Sequence, residues 1–170
     1  MKIVLLGYMA SGKSVVGKVL AKQLNYEFID LDAYIELNEK KTVSAIFYQK
    51  GEIYFRRKET EYLKEIFSEK ENFILSLGGG TPCYGLNMEI VLKNSQSFYL
   101  KTSLNTLHSR LLKEKLNRPL VASIEPLKLK EFIAKHIFER TAFYDKANHI
   151  VSTDEQTIQQ VVDSINIYLI

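Results

Sequence analysis

The sequence predicts an α/β fold in which a five-stranded parallel sheet is flanked by helices, giving three layers. Short apolar segments alternate along the chain with longer stretches whose apolar residues have helical spacing. Such alternation is typical of parallel strands that are covered on both faces. The length of 170 residues leaves room for one domain over residues 1–170, and 46% hydrophobic and 25% charged residues are typical of a globular core.

Five apolar runs are predicted to be strands because each is short and ends in a loop. In chain order they cover residues 3–6, 28–31, 73–77, 97–101 and 149–151.

Helical spacing of apolar residues predicts the connecting helices. These cover residues 13–23, 33–39, 43–50, 52–68, 103–114 and 126–147. Thr153 and Gln156 have the spacing of a capping box, which predicts that the terminal helix starts there. Residues 113–125 are polar and lack clear periodicity, which favours a mobile lid.

Composition excludes several classes of protein. The net charge of +3, from 23 basic and 20 acidic residues, is too small and too dispersed to indicate a nucleic-acid or anionic-membrane partner. No uninterrupted apolar run exceeds four residues, whereas a membrane span needs about 20. The single cysteine, Cys83, cannot form an intramolecular disulfide. We therefore expect a soluble cytoplasmic protein, and a monomer.

One motif carries chemistry by itself. Residues Gly7 to Ser14 read G-Y-M-A-S-G-K-S, which fits G-x-x-x-x-G-K-[ST] and lies between a predicted strand and a predicted helix. Its backbone amides and the helix N-terminus form an anion nest, Lys13 is expected to reach the β- and γ-phosphates, and Ser14 to bind Mg²⁺. This predicts a P-loop NTPase fold. The predicted ATP contacts here are Gly7, Ala10, Ser11, Gly12, Lys13, Ser14 and Val15.

Two observations favour a small kinase over a switch GTPase. The sequence contains neither Asp-x-x-Gly nor Asn-Lys-x-Asp, the motifs with which GTPases sense and read the nucleotide. Its size fits a small-metabolite or nucleoside-monophosphate kinase, which needs a group at the acceptor hydroxyl, a clamp for the acceptor and a lid.

Asp30 and Asp32 follow the second strand, where the ends of parallel strands form a ligand crevice. A spacing of two residues on an extended segment places both carboxylates on one side. We expect Asp30 to hold Mg²⁺ and Asp32 to meet the acceptor hydroxyl. The alternative is that Asp32 only caps the helix that starts at Ala33.

Arginine is scarce, with five among the 23 basic residues. Each arginine therefore suggests a position that needs a planar guanidinium group rather than a simple positive charge. Arg56 and Arg57 are consecutive on a helix, and only one of them is expected to face the crevice. Arg140 has no acidic residue one turn away on its helix, although solvation remains an alternative. A pair of arginines facing inward suits an acceptor that carries a carboxylate.

Two further segments complete the candidate site. Gly78, Gly79 and Gly80 end the third strand and let the backbone approach a small polar ligand, although a plain turn is an alternative. Arg118 lies in the predicted lid, where it could neutralise the transferring phosphate, although an ordinary surface loop is an alternative.

Taken in order, these motifs resemble the shikimate kinase family over nearly the whole chain. The resemblance rests on the P-loop and on five short motifs: Asp-x-Asp at 30–32, Phe-Arg-Arg at 55–57, Gly-Gly-Gly at 78–80, Arg-Pro-Leu at 118–120 and Glu-Arg-x-x-x-Tyr at 139–144. The chain departs from the family at Ala142-Phe143, where Pro-Leu is common.

The resemblance implies Mg²⁺-dependent phosphorylation of the 3-hydroxyl of shikimate by ATP. It implies that Asp32 meets the shikimate hydroxyls, that Arg56 and Arg140 hold the carboxylate, and that Gly80 and its neighbours contact the ring. Arg118 becomes the lid arginine and Arg110 lies against adenine. Two alternatives remain, another small-metabolite kinase such as a gluconate kinase, and a catalytically silent nucleotide-binding module.

Overall fold

Five parallel strands form the sheet at the centre of the molecule. A computed structural model describes residues 1–114 and 119–169. The spatial order of the strands is β2-β3-β1-β4-β5, and all four neighbouring pairs are parallel, as predicted. The strands are β1 (Lys2–Leu6), β2 (Glu27–Asp30), β3 (Phe73–Ser76), β4 (Gln96–Lys101) and β5 (His149–Ser152).

Helices cover both faces of this sheet. Alternate residues of β1 point to opposite faces, so Val4 and Leu6 belong to one buried cluster and Ile3 and Leu5 to another. The described helices are α1 (Lys13–Leu24), α2 (Leu31–Glu39), α3 (Val43–Glu69), α4 (Asn87–Asn94), α5 (Leu104–Glu114), α6 (Pro119–Ala122), α7 (Pro126–Tyr144) and α8 (Ile158–Asn166).

The two helices predicted over residues 43–68 are the two halves of α3. Gly51 lies between them with φ of 81° and ψ of 172°, a left-handed conformation that interrupts the helix. The side chain of Thr42 caps the first half by accepting a hydrogen bond from the amide of Ala45.

One predicted feature is wrong, and the structure contains elements that the sequence did not predict. The terminal helix is capped by a complete capping box of Thr157 and Gln160, four residues further along the chain than the expected Thr153 and Gln156. Between β3 and β4 the chain forms the 3₁₀ turn Thr81–Cys83 and the helix α4, neither of which was predicted. Within residues 113–125, the predicted lid, α6 is helical, and residues 115–118 lie outside the described part of the chain.

No described helix is both long enough and apolar enough to span a lipid bilayer.

Candidate active site

The loop after β1 turns tightly because of its glycines. Gly7 and Gly12 have φ values of 146° and 98°, a region that favours glycine. A Cβ atom on Gly7 would lie 2.9 Å from the carbonyl oxygen of Leu100 in β4. Gly12 is the N-cap residue of α1, so the amides of the first helical turn have no intrahelical acceptor and are available to an anion.

Two side chains at the start of α1 reach in different directions. Lys13 Nζ donates hydrogen bonds of 2.9 Å to the carbonyl oxygens of Gly7 and Tyr8, so its ammonium group lies under the loop. Ser14 Oγ donates a 2.9 Å hydrogen bond to Asp30 Oδ2 at the end of β2. The predicted phosphate-binding and metal-binding side chains therefore meet at one edge of the sheet.

The local geometry around the two aspartates differs from the predicted extended segment. Helix α2 begins at Leu31, directly after Asp30, which has extended backbone and accepts a 3.3 Å hydrogen bond from the amide of Ala33. Asp30 is thus the capping residue, and the alternative of Asp32 as the cap is wrong. Asp32 lies in the first turn of α2, and both carboxylates still line the same cavity.

That cavity has a volume of about 470 Å³ and contains most of the predicted site. Gly7, Gly80, Arg56 and Arg140 are not among the described residues that line it, and Arg118 lies outside the described part of the chain. The predicted residues that line it are Ala10, Ser11, Gly12, Lys13, Ser14, Val15, Asp30, Asp32, Gly78, Gly79 and Arg110.

Asp32 has the most perturbed carboxyl group of this site. Burial raises its pKa to about 6, and the nearby carboxylates of Asp30 and Glu59 act in the same direction. The positive charges of Lys13 and Arg56 oppose this shift. A carboxyl group with a pKa near neutrality can exchange a proton with a bound hydroxyl.

The residues predicted to bind the acceptor converge at the triple glycine. A Cβ atom on Gly78 would lie 3.0 Å from Asp32 Oδ1, and one on Gly79 would lie 3.3 Å from Arg140 Nη1. A Cβ atom on Gly80 would lie only 2.6 Å from Arg56 Nη2. Each glycine therefore leaves room for a different predicted site residue, which supports a role beyond a plain turn.

Glu59 is a central residue of this region that sequence reasoning missed. Its side chain is almost completely buried and accepts a 2.7 Å hydrogen bond from Arg56 Nη1. It also accepts a short hydrogen bond from Thr81 Oγ1. The helical spacing of three residues from Arg56 was the available signal, whereas the contact with Thr81 depends on tertiary structure. Arg57 points to solvent, as expected for one of the two arginines.

Buried polar groups extend this network away from the cavity. Asn87, which is fully buried, donates a 3.0 Å hydrogen bond to the carbonyl oxygen of Thr81 and accepts one of 2.8 Å from Thr60. The turn after the triple glycine is thereby tied to both α3 and α4.

Arg140 lies beside Gly79, within 3.3 Å of the place that a Cβ atom there would take. Its guanidinium carbon is 5.5 Å from the centre of the Tyr8 ring, and no carboxylate within the described ranges forms an ion pair with it. One turn further along α7, the hydroxyl of the buried Tyr144 donates a hydrogen bond to the carbonyl oxygen of Gly79. An ion pair within α7 would have given Arg140 a purely structural role, and the described part of the chain contains no such pair.

The far end of the cavity is lined by Arg110 from α5 and by Thr153 and Gln156 from the loop after β5. Arg110 Nη1 donates a 3.0 Å hydrogen bond to the carbonyl oxygen of Ala10, which fixes its position against the P-loop. Thr153 and Gln156, predicted as helix caps, are wall residues of the cavity instead.

Comparisons with known proteins identify the family of this chain. A family model described as shikimate kinase matches residues 9–169. A shikimate kinase of Flavobacterium johnsoniae is 46% identical over 165 residues, which is 96% of both chains.

Solved structures are similar along the whole chain. The crystal structure of a shikimate kinase from Bacteroides thetaiotaomicron has a TM-score of 0.93 and 36% identity, covering 99% of this chain and 98% of that chain. A shikimate kinase from Acinetobacter baumannii in complex with shikimate has a TM-score of 0.90 and 30% identity, covering 99% and 92%. The predicted P-loop fold is confirmed. Because the family model spans nearly every residue and the relatives match end to end, this chain belongs to the shikimate kinase family.

Proposed function

We propose that this chain transfers the γ-phosphoryl group of ATP to the 3-hydroxyl of shikimate, a step of chorismate and aromatic amino acid biosynthesis. Family membership supports the reaction and the acceptor. One observation carries the assignment of the site: Arg56 from α3 and Arg140 from α7 approach neighbouring glycines of one segment, beside Asp32. Two guanidinium forks beside a carboxyl group suit an acceptor that has one carboxylate and several hydroxyls.

The donor end of the proposed site is the P-loop. Its amides and Lys13 hold the β- and γ-phosphates, and Arg118 adds positive charge from the lid when the γ-phosphoryl group transfers. Arg110 holds the adenine, supported by its place in the cavity wall. The other P-loop residues bind the rest of the triphosphate through their backbone or side chains. They are Gly7, Ala10, Ser11, Gly12, Ser14 and Val15.

A magnesium ion fits the oxygen atoms next to the phosphates. Ser14 Oγ and Asp30 Oδ2 are 2.9 Å apart, and oxygen ligands are those that Mg²⁺ prefers. Within the described ranges no three His, Cys, Asp or Glu side chains form a cage, which suits an ion held by few protein ligands together with phosphate and water. When bound, Mg²⁺ neutralises phosphate charge.

The acceptor end of the proposed site uses Asp32 and the glycine segment. Asp32 accepts the hydrogen bond of the attacking hydroxyl and takes up its proton, which its pKa of about 6 supports. Gly78, Gly79 and Gly80 contact the ring hydroxyls, and Arg56 and Arg140 bind the carboxylate. Orientation of the hydroxyl in line with the γ-phosphoryl group supplies much of the rate acceleration.

A coupled assay of ADP release tests the proposal. Purified protein should release ADP with shikimate, ATP and Mg²⁺ together, and not when any one is omitted. Gluconate in place of shikimate is the control acceptor. Turnover of gluconate alone would assign a different kinase, and ADP binding without turnover of either acid would leave a silent module.

The proposal includes a cytoplasmic monomer without nucleic-acid or membrane partners. The small net charge of +3 supports the lack of nucleic-acid and anionic-membrane partners. Light scattering should give the mass of one 19.6 kDa chain, with and without shikimate. A mass twice as large would contradict the monomer.

A further inference from the structure

Three residues of α7 with a spacing of four form a row along the acceptor side of the crevice. His136 Nδ1 lies 3.1 Å from Tyr8 Oη, Arg140 lies over the Tyr8 ring, and Tyr144 donates to Gly79. A spacing of four places these side chains on one face of the helix. The proposed function uses only Arg140 of this row, so the contacts of Tyr8 and His136 need their own explanation.

The two arginines of the proposed clamp are oriented by different means. Arg56 is held by the buried carboxylate of Glu59. Arg140 forms no ion pair with a carboxylate in the described part of the chain; its guanidinium lies over the Tyr8 ring and beside the Tyr144 hydroxyl. A guanidinium that is held over a ring face does not use its N–H donors on a protein carboxylate, so a planar carboxylate of a ligand can bind them in a bidentate manner.

Tyr8 is itself fixed in place. Its side chain is 2% exposed, and burial raises its pKa to about 12, so it remains a phenol under working conditions. A buried hydroxyl needs a hydrogen-bond partner, and His136 is that partner. The centroids of the Phe132 and His136 rings are 4.2 Å apart, so Phe132 packs against the imidazole.

Tyr8 also belongs to the phosphate loop. Its carbonyl oxygen accepts a 2.9 Å hydrogen bond from Lys13 Nζ, while its ring faces Arg140. Tyr8 therefore contacts Lys13 at the donor end of the site through its backbone, and Arg140 at the acceptor end through its ring.

We infer that Tyr8, anchored by its hydrogen bond to His136, is a positioning residue that orients Arg140 for the acceptor carboxylate. This inference rests on the proposed role of Arg140. It assigns the His136 imidazole a supporting function, separated from the substrate by Arg140 and Tyr8. It also gives a reason for a tyrosine rather than a phenylalanine in the loop.

Steady-state kinetics of single variants test the inference. Tyr8→Phe keeps the ring and removes only the anchor, so the KM for shikimate should rise about 5-fold, the equivalent of one neutral hydrogen bond. The KM for ATP and the Kd for ADP should not change. His136→Leu should resemble Tyr8→Phe, and His136→Gln, which keeps a hydrogen-bonding group, should restore part of the loss. Tyr34→Phe is the matched control, because its hydroxyl donates to Glu65 outside the cavity.

A double-mutant cycle shows whether Tyr8 acts through Arg140. Arg140→Ala should raise the KM for shikimate roughly 30- to 150-fold. Tyr8→Phe should add nothing further in the Arg140→Ala background. Full additivity of the two effects would overturn the inference.

The outcomes distinguish the positioning role of Tyr8 from the proposed carboxylate clamp on which it rests. If Arg140→Ala raises the KM for shikimate but Tyr8→Phe and His136→Leu do not, the positioning role is wrong and the carboxylate clamp stands. If Arg140→Ala leaves that KM unchanged, both are wrong. An unchanged Kd for ADP in every variant shows that the loop is still folded.

Discussion

Arg56 Nη1 lies 2.7 Å from Oε2 of Glu59, whose side chain is only 1% exposed. Removal of one partner from a buried ion pair leaves the other charge unpaired, at a cost of about 3 to 5 kcal/mol. Glu59→Ala should therefore lower the free energy of unfolding by about 3 kcal/mol in urea titrations. Glu52 pairs with the same guanidinium but is 66% exposed, so Glu52→Ala is the control and should cost less than about 1 kcal/mol. Equal losses would contradict this.

The acid limb of the activity profile should follow Asp32. Its pKa is raised to about 6, and only the ionised carboxylate can accept the proton of the hydroxyl, so kcat/KM for shikimate should fall as the pH drops below about 6. Because the charge of Glu59 helps to raise this pKa, Glu59→Gln should move the limb to lower pH. A profile that is flat across this range would remove Asp32 from the role of proton acceptor.

The same carboxyl group should reduce stability at neutral pH. The pKa of Asp32 in the folded protein, about 6, is above its ordinary value of 3.8, so the folded state binds the proton more tightly than the unfolded state. The proton on Asp32 therefore stabilises the folded state fully below pH 3.8, and this contribution is lost as the pH rises through about 6.

Asp32→Asn should therefore raise the free energy of unfolding at neutral pH by about 2 kcal/mol while lowering kcat on the order of 100-fold or more. Asp163→Asn, at an exposed position of α8, is the control and should change neither quantity. A variant of Asp32 that is less stable than the parent protein would argue against the burial cost assigned to its charge.

A methyl group on Gly80 should displace the side chain of Arg56. The backbone of Gly80 has φ of −93° and ψ of −16°, which alanine adopts without strain, but the new Cβ would lie 2.6 Å from Arg56 Nη2. Gly80→Ala should raise the KM for shikimate about 10-fold. Because the displaced guanidinium also loses contact with Glu59, the free energy of unfolding should fall by up to about 3 kcal/mol.

Gly85 supplies the opposite control. It has φ of 52°, and no other group lies within 4 Å of the place that a Cβ atom would take, so Gly85→Ala should lower the thermal midpoint through backbone strain and leave the KM for shikimate unchanged. A rise in KM for Gly85→Ala equal to that for Gly80→Ala would show that the effect is general rather than a displacement of Arg56.

Sequence patterns were sufficient wherever one short segment determines the structure. The apolar runs of β1 and β3 and the P-loop motif depend on neighbouring residues, and each was predicted within a residue or two. Even where the residue was right, its geometry could differ: Asp30 and Asp32 line the cavity as expected, but the cap formed by Asp30 starts α2 at Leu31.

Contacts between distant segments could not be predicted in the same way. Glu59 meets Thr81 only after α3 packs beside the turn that follows β3, and Tyr8 meets His136 across 128 positions of sequence. Neither pair has a local pattern that distinguishes it from an ordinary surface glutamate or a core tyrosine. The residues that orient the proposed clamp, Glu59, Tyr8 and His136, therefore could not be predicted from the sequence alone.

The central position of β1 has a consequence for folding. Leu5 is aligned with Ser76 on one side and with Phe98 on the other, so this strand pairs with neighbours that are 71 and 93 residues away in sequence. The P-loop is attached to this strand and gains its supporting sheet only when both distant pairings have formed. Pairing over such separations slows folding, so the apolar segment of β1 stays exposed to aggregation until the sheet closes around it.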